Sequence, residues 1–332
     1  MGTHQIVDAP FVWRADDVAN STEWTFSLTD LQRSEIIEAA RRSATGGHTI
    51  ATLGRETFSV PSLDGDVHSW SQVLNDGCGF LLLKGFPVEE LTATEVELAY
   101  VGLGLQLGTP VGQDRQANIL THIRDERVPR IDPTVRLYRT DARQDFHTDG
   151  SDIVGLLCLN RASHGGESRI VSSMAIYNEI LSTRPDLLDV LYEPMHWDRN
   201  GEESPGEDPY FALPPLNDVG GLPRFFYIGW YVTDAQRYPR VPRLTDPQLE
   251  AMALIERLAN DPAIHVEMNF DPGDVQLLSN AKILHAREAY EDPEDPDKRR
   301  HLLRLWLTAH DFASVEDLLR GGIPKQRPST SA

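Results

Sequence analysis

From Val135 onward the chain reads as short apolar runs broken by turn residues, and this texture limits the fold more than any other feature. The runs are RLYRT (136–140), IVGLLCL (153–159), SRIVSS (168–173), RFFYIGWYV (224–232), DVQLLS (274–279) and HLLRLWLTA (301–309). Gly165-Gly166, Gly220-Gly221 and the DPGD run ending at Asp274 supply turns between them. Many short strands with such turns predict a mostly β protein with flanking helices, its core a double-sheet jelly roll (a double-stranded β-helix). Helices are expected at 28–43, 92–107, 173–191 and 246–259, where apolar residues recur at helical spacing. Thr92 with Glu95 three residues on predicts a capping box. Leu81 to Leu83 is a short apolar run between glycines and reads as a buried strand.

The 332 residues are expected to form one domain over 1–322, with a helix-and-strand N-terminal part to about 130 and the jelly roll over about 131–315. The 194–224 stretch is rich in Pro, Gly, Asp and Glu, with aromatics just after it, and reads as a long loop. Such a loop is usually a lid or disordered, so a lid-like insert is expected over about 194–245. Residues 323–332 read as a flexible tail.

With 51 acidic against 31 basic residues the net charge is -20. That field repels nucleic acid phosphates and anionic membranes, so neither is an expected partner. No apolar stretch reaches the ~18 residues that cross a bilayer, and the N-terminus carries no secretory signal pattern. Two distant cysteines, Cys78 and Cys158, form no framework and fit a reducing cytoplasm.

The chemistry is carried by histidines. A His-x-Asp/Glu pattern is weak alone, since 11 histidines and 51 acids give about 1.7 matches by chance. Three occur: His147/Asp149, His196/Asp198 and His265/Glu267. The second pair falls in the glycine-containing run WDRNGEESPG, which would fix ligands poorly, and the third reads as a strand edge. His147 and Asp149 stand just before the predicted core strand at 153–159, and on an extended segment they face one side. A turn, a strand and a second turn at Asn280 deliver His285 as the third ligand. Two neutral imidazoles and a carboxylate on one face of an octahedron leave three open positions, a set suited to Fe(II). Downstream, Arg300 and Arg304 share a strand face with Leu302 and Trp306. An arginine pair on an apolar strand calls for an anion, either a bound carboxylate or nearby Asp and Glu side chains. The GGES turn could bring the Ser168 hydroxyl beside the same anion.

These segments together resemble the taurine dioxygenase and clavaminate synthase-like family. The resembling motifs are FHTDGSDIVGLLCL (146–159), GGES (165–168), LHAR (284–287) and RHLLRLWL (300–307), and the likeness extends over about residues 30–315. It implies an Fe(II)- and 2-oxoglutarate-dependent oxygenase that uses O2 to oxidise a small molecule, with release of succinate and CO2. It implies His147, Asp149 and His285 as the metal ligands and Ser168 beside 2-oxoglutarate. By the same resemblance Arg300 matches the arginine that grips the distal carboxylate, and Arg304 a second arginine that assists it or holds an anionic substrate, with the choice of main anchor between the two left open. Related halogenases have a small residue in place of the aspartate. The intact Asp149 therefore implies hydroxylation, desaturation or ring formation. In the taurine-oxidising branch an asparagine stands four residues before the first ligand. Arg143 stands there in this chain, which points away from taurine.

Tyr227, Trp230 and Tyr231 are candidate pocket residues, along with Arg143, the alternative for the aromatics being ordinary core packing. The expected substrate is a small organic molecule of natural-product or amino-acid metabolism. Two other readings compete: a non-catalytic jelly-roll protein binding a small molecule through its metal, and a zinc hydrolase. The first would lack part of the triad or its arginine, and the second would need a base beside an open metal and no arginine clamp.

Overall fold

The computed structural model describes residues 4–19, 21–128 and 135–310. The 323–332 tail expected above lies outside them. Two sheets form the centre. The larger runs in the order Thr25–Ser27, Phe80–Lys84, Val275–Ser279, Ile153–Asn160, His301–Ala309, Gly108–Pro110, with Leu120–Ile123 also paired to His301–Ala309. The smaller runs Val266–Met268, Ser168–Ser172, Ile283–Arg287, Gln144–His147. Strands distant in sequence are neighbours in both, as the jelly roll requires.

Side-chain alternation explains the layering. On one face of the large sheet Phe80, Leu82, Val154, Cys158, Leu278 and Leu302 meet Ile170, Met268 and Ile283 of the small sheet. On its other face Leu81, Leu83, Leu157, Leu277, Leu303, Leu305 and Leu307 pack under helices. Those helices are Asp30–Thr45, Asp64–Asn75 and Ala93–Leu107. The outer face of the small sheet, with Phe146, Val171 and Leu284, packs under Ser173–Thr183, Pro185–Leu191 and Asp246–Ala259. Strands buried on both faces read as near-continuous apolar runs, which is why IVGLLCL and FLLLK carry little polar alternation.

Helix starts follow local chemistry. Thr92 and Glu95 form the expected capping box, and Thr29/Gln32 and Thr245/Gln248 form two more. The 173–191 helix is in fact two, broken at Arg184 because Pro185 excludes a helical conformation from the residue before it. RLYRT, expected as a strand, is a short 3-10 turn, Leu137–Arg139. RFFYIGWYV divides into the end of Leu222–Phe225 and a helix, Gly229–Ala235, so Trp230 and Tyr231 are helical. The 194–224 stretch is not one long loop. It holds two antiparallel hairpins, Met195–Asp198 with Tyr210–Leu213 and Leu216–Val219 with Leu222–Phe225. His196 and Asp198 therefore lie on a strand and not on the loop expected for them.

Candidate active site

Register brings two of the candidate ligands together. Gln144–His147 and Ile283–Arg287 are antiparallel neighbours, and His285 stands directly opposite His147. Opposed residues share a face, and the two imidazole centroids lie 4.2 Å apart. Asp149 follows two residues after the strand and is held by its backbone. Its N–H donates to Asn280 Oδ1 at 2.7 Å, and Asn280 Nδ2 donates to the Asp149 and Ser151 carbonyls at 2.6 and 2.9 Å. The intervening Thr148 exchanges hydrogen bonds with the Tyr227 backbone at 2.7 and 2.9 Å.

The Asp149 carboxylate lies 3.9 Å from His147 Nε2 and 3.6 Å from His285 Nε2. Donor atoms of all three residues fall within 4.8 Å of one another, and all three are buried. Adjacent donors around an ion with bonds of 2.0–2.2 Å sit roughly 3 Å apart, so shifts of about an ångström close the set. The donor set therefore fits a metal. His147 Nδ1–H donates to the Asp145 carbonyl at 2.8 Å, which leaves the Nε2 lone pair for the ion. Gln144 Nε2 lies 3.1 Å from that atom. Trp306 Nε1–H donates to Asp149 Oδ2 at 2.9 Å, and Arg304 Nη1 stands 3.4 Å from the same oxygen.

Electrostatics favour metal-ready protonation states. Burial pushes the His147 imidazole down to about 3, helped by neighbouring His285, against the pull of Asp149. Burial alone would raise Asp149, but the Arg304 guanidinium and the two imidazoles outweigh it and hold the carboxyl well below the usual range. A neutral imidazole and an ionised carboxylate are the forms that bind a cation.

Beside the triad lies a cavity whose polar lining includes Tyr138, Gln144, Ser168, Arg287, Arg300 and Arg304. Arg300 is 5% exposed, and its Nη1 has no partner at hydrogen-bond distance among the described residues. Its guanidinium lies 5.0 Å over the Tyr290 ring, and Nη2 makes only a long bond of 3.4 Å to the Gly166 carbonyl. The glycine pair permits this approach. Gly165 and Gly166 have φ of 74° and 77°, and a Cβ on Gly166 would stand 2.9 Å from Arg300 Nε. Ser168 Oγ donates to Gln276 Oε1 at 3.2 Å. Arg304 differs in being committed: Nε donates to Gln113 Oε1 at 2.7 Å, and its plane lies 4.5 Å over the Trp306 ring.

The other expected residues divide. The Trp230 ring stands edge-on to His147 at 5.0 Å, and Tyr231 packs against Trp230. Tyr227 is core, 0% exposed, and serves the site only through its backbone. Arg143 is an exposed residue paired with Asp145 at 3.0 Å and Glu288 at 3.8 Å, so the structure does not bring it to the cavity. Asp198 is paired with Arg237, and His265 Nδ1 with the Ala259 carbonyl. The three-residue ligand group is the one found among the described residues. Sequence reading passed over Gln144 and Gln113, saw Asn280 only as a turn, and saw Trp306 only as a face partner.

The family model for the taurine catabolism dioxygenase TauD, TfdA family matches residues 42–306, and the chain belongs to that family of iron(II)- and 2-oxoglutarate-dependent dioxygenases. It is thus an enzyme that oxidises a small molecule, and the non-catalytic reading falls away. FR-33289 synthase of Streptomyces rubellomurinus is 35% identical over 307 residues, covering 90% of this chain and 89% of that one. A taurine hydroxylase-like protein of Stachybotrys chartarum is 29% identical, covering 88% and 77%. Among solved structures, an asparagine oxygenase superposes with a TM-score of 0.64 at 16% identity, covering 86% of this chain and 94% of its own. The last likeness concerns the fold, a mostly β jelly roll with helices.

Proposed function

We propose that His147, Asp149 and His285 hold the iron, that Arg300 with Ser168 grips the distal carboxylate of 2-oxoglutarate, and that Arg304 chiefly orients Asp149. The observation that carries this is the convergence of the three buried donors beside buried Arg300, whose Nη1 has no hydrogen-bond partner among the described residues. Burying Arg300 is costly unless an anion meets it, and a carboxylate satisfies its fork bidentately. Arg304 differs in having its Nε held by Gln113 and its charge beside Asp149, with Nη1 at 3.4 Å from the carboxylate. Bound iron with 2-oxoglutarate supplies the oxidising power. The chain's own residues fix ligand geometry, keep water out through Leu156, Phe270 and Leu302, and aim the substrate. Asp149 keeps a ligand position that halide would otherwise take, so the outcome is hydroxylation, desaturation or ring formation.

The substrate enters, in this reading, over Trp230 and Tyr231, on the side of His147 that Trp230 covers. It is a small molecule of natural-product or amino-acid metabolism. The names of the relatives support this, one being a synthase and another an asparagine oxygenase. The single domain over 1–322 and a cytoplasmic location belong to the same reading, the latter supported by two free cysteines. Anaerobic titration of Fe(II) and 2-oxoglutarate, followed by succinate release on adding O2, tests the assignment. Asp149→Ala should keep the fold and lose succinate production. Near-normal production by the folded variant would refute Asp149 as ligand.

A further inference from the structure

Arg136 stands just before the Leu137–Arg139 turn and reaches across to a different part of the chain. Its Nη1 donates to the Gln113 carbonyl at 3.1 Å, which fixes one edge of the guanidinium. Its Nη2 pairs with Glu202 Oε1 at 2.7 Å. Glu202 belongs to the turn that joins Met195–Asp198 to Tyr210–Leu213, outside both sheets. A second contact, Arg115 Nη1 to the Gly201 carbonyl at 3.1 Å, docks the same turn. The Arg136 and Glu202 side chains are only 18% and 26% exposed.

The position matters more than the pair. Gln113, whose carbonyl takes Arg136 Nη1, takes Arg304 Nε on its side chain at 2.7 Å. Arg304 and Tyr138, two residues on from Arg136, line the cavity next to the triad, and Tyr231 feels the charges of Arg136, Asp149, Arg304 and Glu202. Arg300 and Ser168, assigned above to 2-oxoglutarate, line the same cavity. Arg136 is therefore a cation on the Tyr231 side, where the primary substrate is placed above. Arg304 is bound to groups of the framework, whereas the carboxylate on Arg136 comes from a turn held by a few polar contacts. A pair this far from solvent gives way only to another anion, since an unpaired buried guanidinium is costly. A free carboxylate or similar oxyanion fits the same fork bidentately.

We propose that Arg136 anchors an acidic group of the primary substrate and that Glu202 fills that place until the substrate arrives. This rests on the iron and 2-oxoglutarate reading above and adds the substrate class, an oxyanion-bearing small molecule. Substrate entry then frees the turn bearing Glu202, so recognition and opening of the site are one exchange of carboxylates.

The test uses the full-length enzyme loaded with Fe(II) and 2-oxoglutarate under nitrogen, whose visible charge-transfer band reports the complex. Sulfate is titrated as the probe at constant ionic strength, with chloride as the control. Glu202→Gln should bind sulfate about tenfold more tightly than the native chain, about 1.4 kcal/mol. Arg136→Gln should abolish the response while keeping the band, and Arg136→Lys should fall between. Equal sulfate affinity in Glu202→Gln and the native chain, or an undiminished response in Arg136→Gln, overturns the proposal. Failure of the band to form in the native enzyme overturns the iron and 2-oxoglutarate reading and this inference with it. Circular dichroism of each variant separates lost binding from lost folding.

Discussion

Trp306 shows how a single side chain serves the site without touching the reacting atoms. Its indole N–H holds Asp149 Oδ2 at 2.9 Å and so fixes the direction in which the carboxylate points. Removing such a partner typically costs 10–100-fold in metal affinity. Trp306→Phe should therefore weaken Fe(II) binding by about tenfold or more, measured by anaerobic competition with a chelator, while leaving the helix content intact. The two arginines should separate in the same way. Arg300→Ala should weaken 2-oxoglutarate binding by roughly 30-fold or more, about 2 kcal/mol, with little change in iron affinity. If Arg304→Ala instead carries the larger loss of 2-oxoglutarate affinity, their roles are exchanged. The histidines make a further prediction. Burial holds His147 near about 3 and, with His122 beside it, His301 near about 4, both below the ordinary 6.5. At these two histidines the unfolded chain binds protons before the folded one, so their contribution to stability falls as pH drops from 6.5 towards 4, while half-buried Glu256, raised to about 7, acts oppositely. Thermal melts in chelator between pH 7.5 and 5 should show His301→Gln losing less stability over that range than the native chain; an equal loss in both would remove His301 from the account.

Among the elements, what the sequence disclosed depended on whether local chemistry or distant partners decided the outcome. The helix Asp246–Ala259 and the capping box at Thr92 were legible because capping residues and helical spacing lie within a few positions. The grouping of His147, Asp149 and His285 could be expected from the core strand that follows the first pair and the turn before His285, although their convergence depends on a cross-strand register that no local pattern encodes. Gly229–Ala235 was not legible: Trp230, Tyr231 and Val232 have high strand propensity, and packing against Met195–Asp198 overrides it. Gln113 was hidden for a related reason, since its partner Arg304 is 191 residues away. The helix Ala93–Leu107 provides the element-scale test. A Cβ on Gly102 would fall 2.3 Å from the buried Phe58 ring, which has nowhere to move. Alanine improves helix propensity by about 1 kcal/mol, but overpacking costs about 1–3 kcal/mol. Gly102→Ala should therefore lower the melting temperature, with metal binding unchanged; a rise would show that the packing there is loose.

At the scale of the whole molecule, helices cover the outer faces of both sheets. His147 and His285 sit on the small sheet with Asp149 just past its end, while Arg304 lies on the last strand of the large sheet and Arg300 immediately before it. Ligands that bridge the two sheets should stabilise the whole fold. Saturating Fe(II) with 2-oxoglutarate at 100 times its Kd should add about 2.7 kcal/mol. That gain is read as a melting-temperature rise under nitrogen, and Arg300→Ala should lose most of the part due to 2-oxoglutarate. The clamp between Asn280 and Asp149 joins positions 131 residues apart, and His285 meets His147 only when their strands are paired in register. Contacts so distant along the chain form slowly, because loop closure comes before any reward. A nascent chain thus offers His147 and Asp149 long before His285 exists, and two donors alone make a poor trap. If these three residues hold the iron as proposed, its capture is expected to close assembly and to fall to chains that have already found their register.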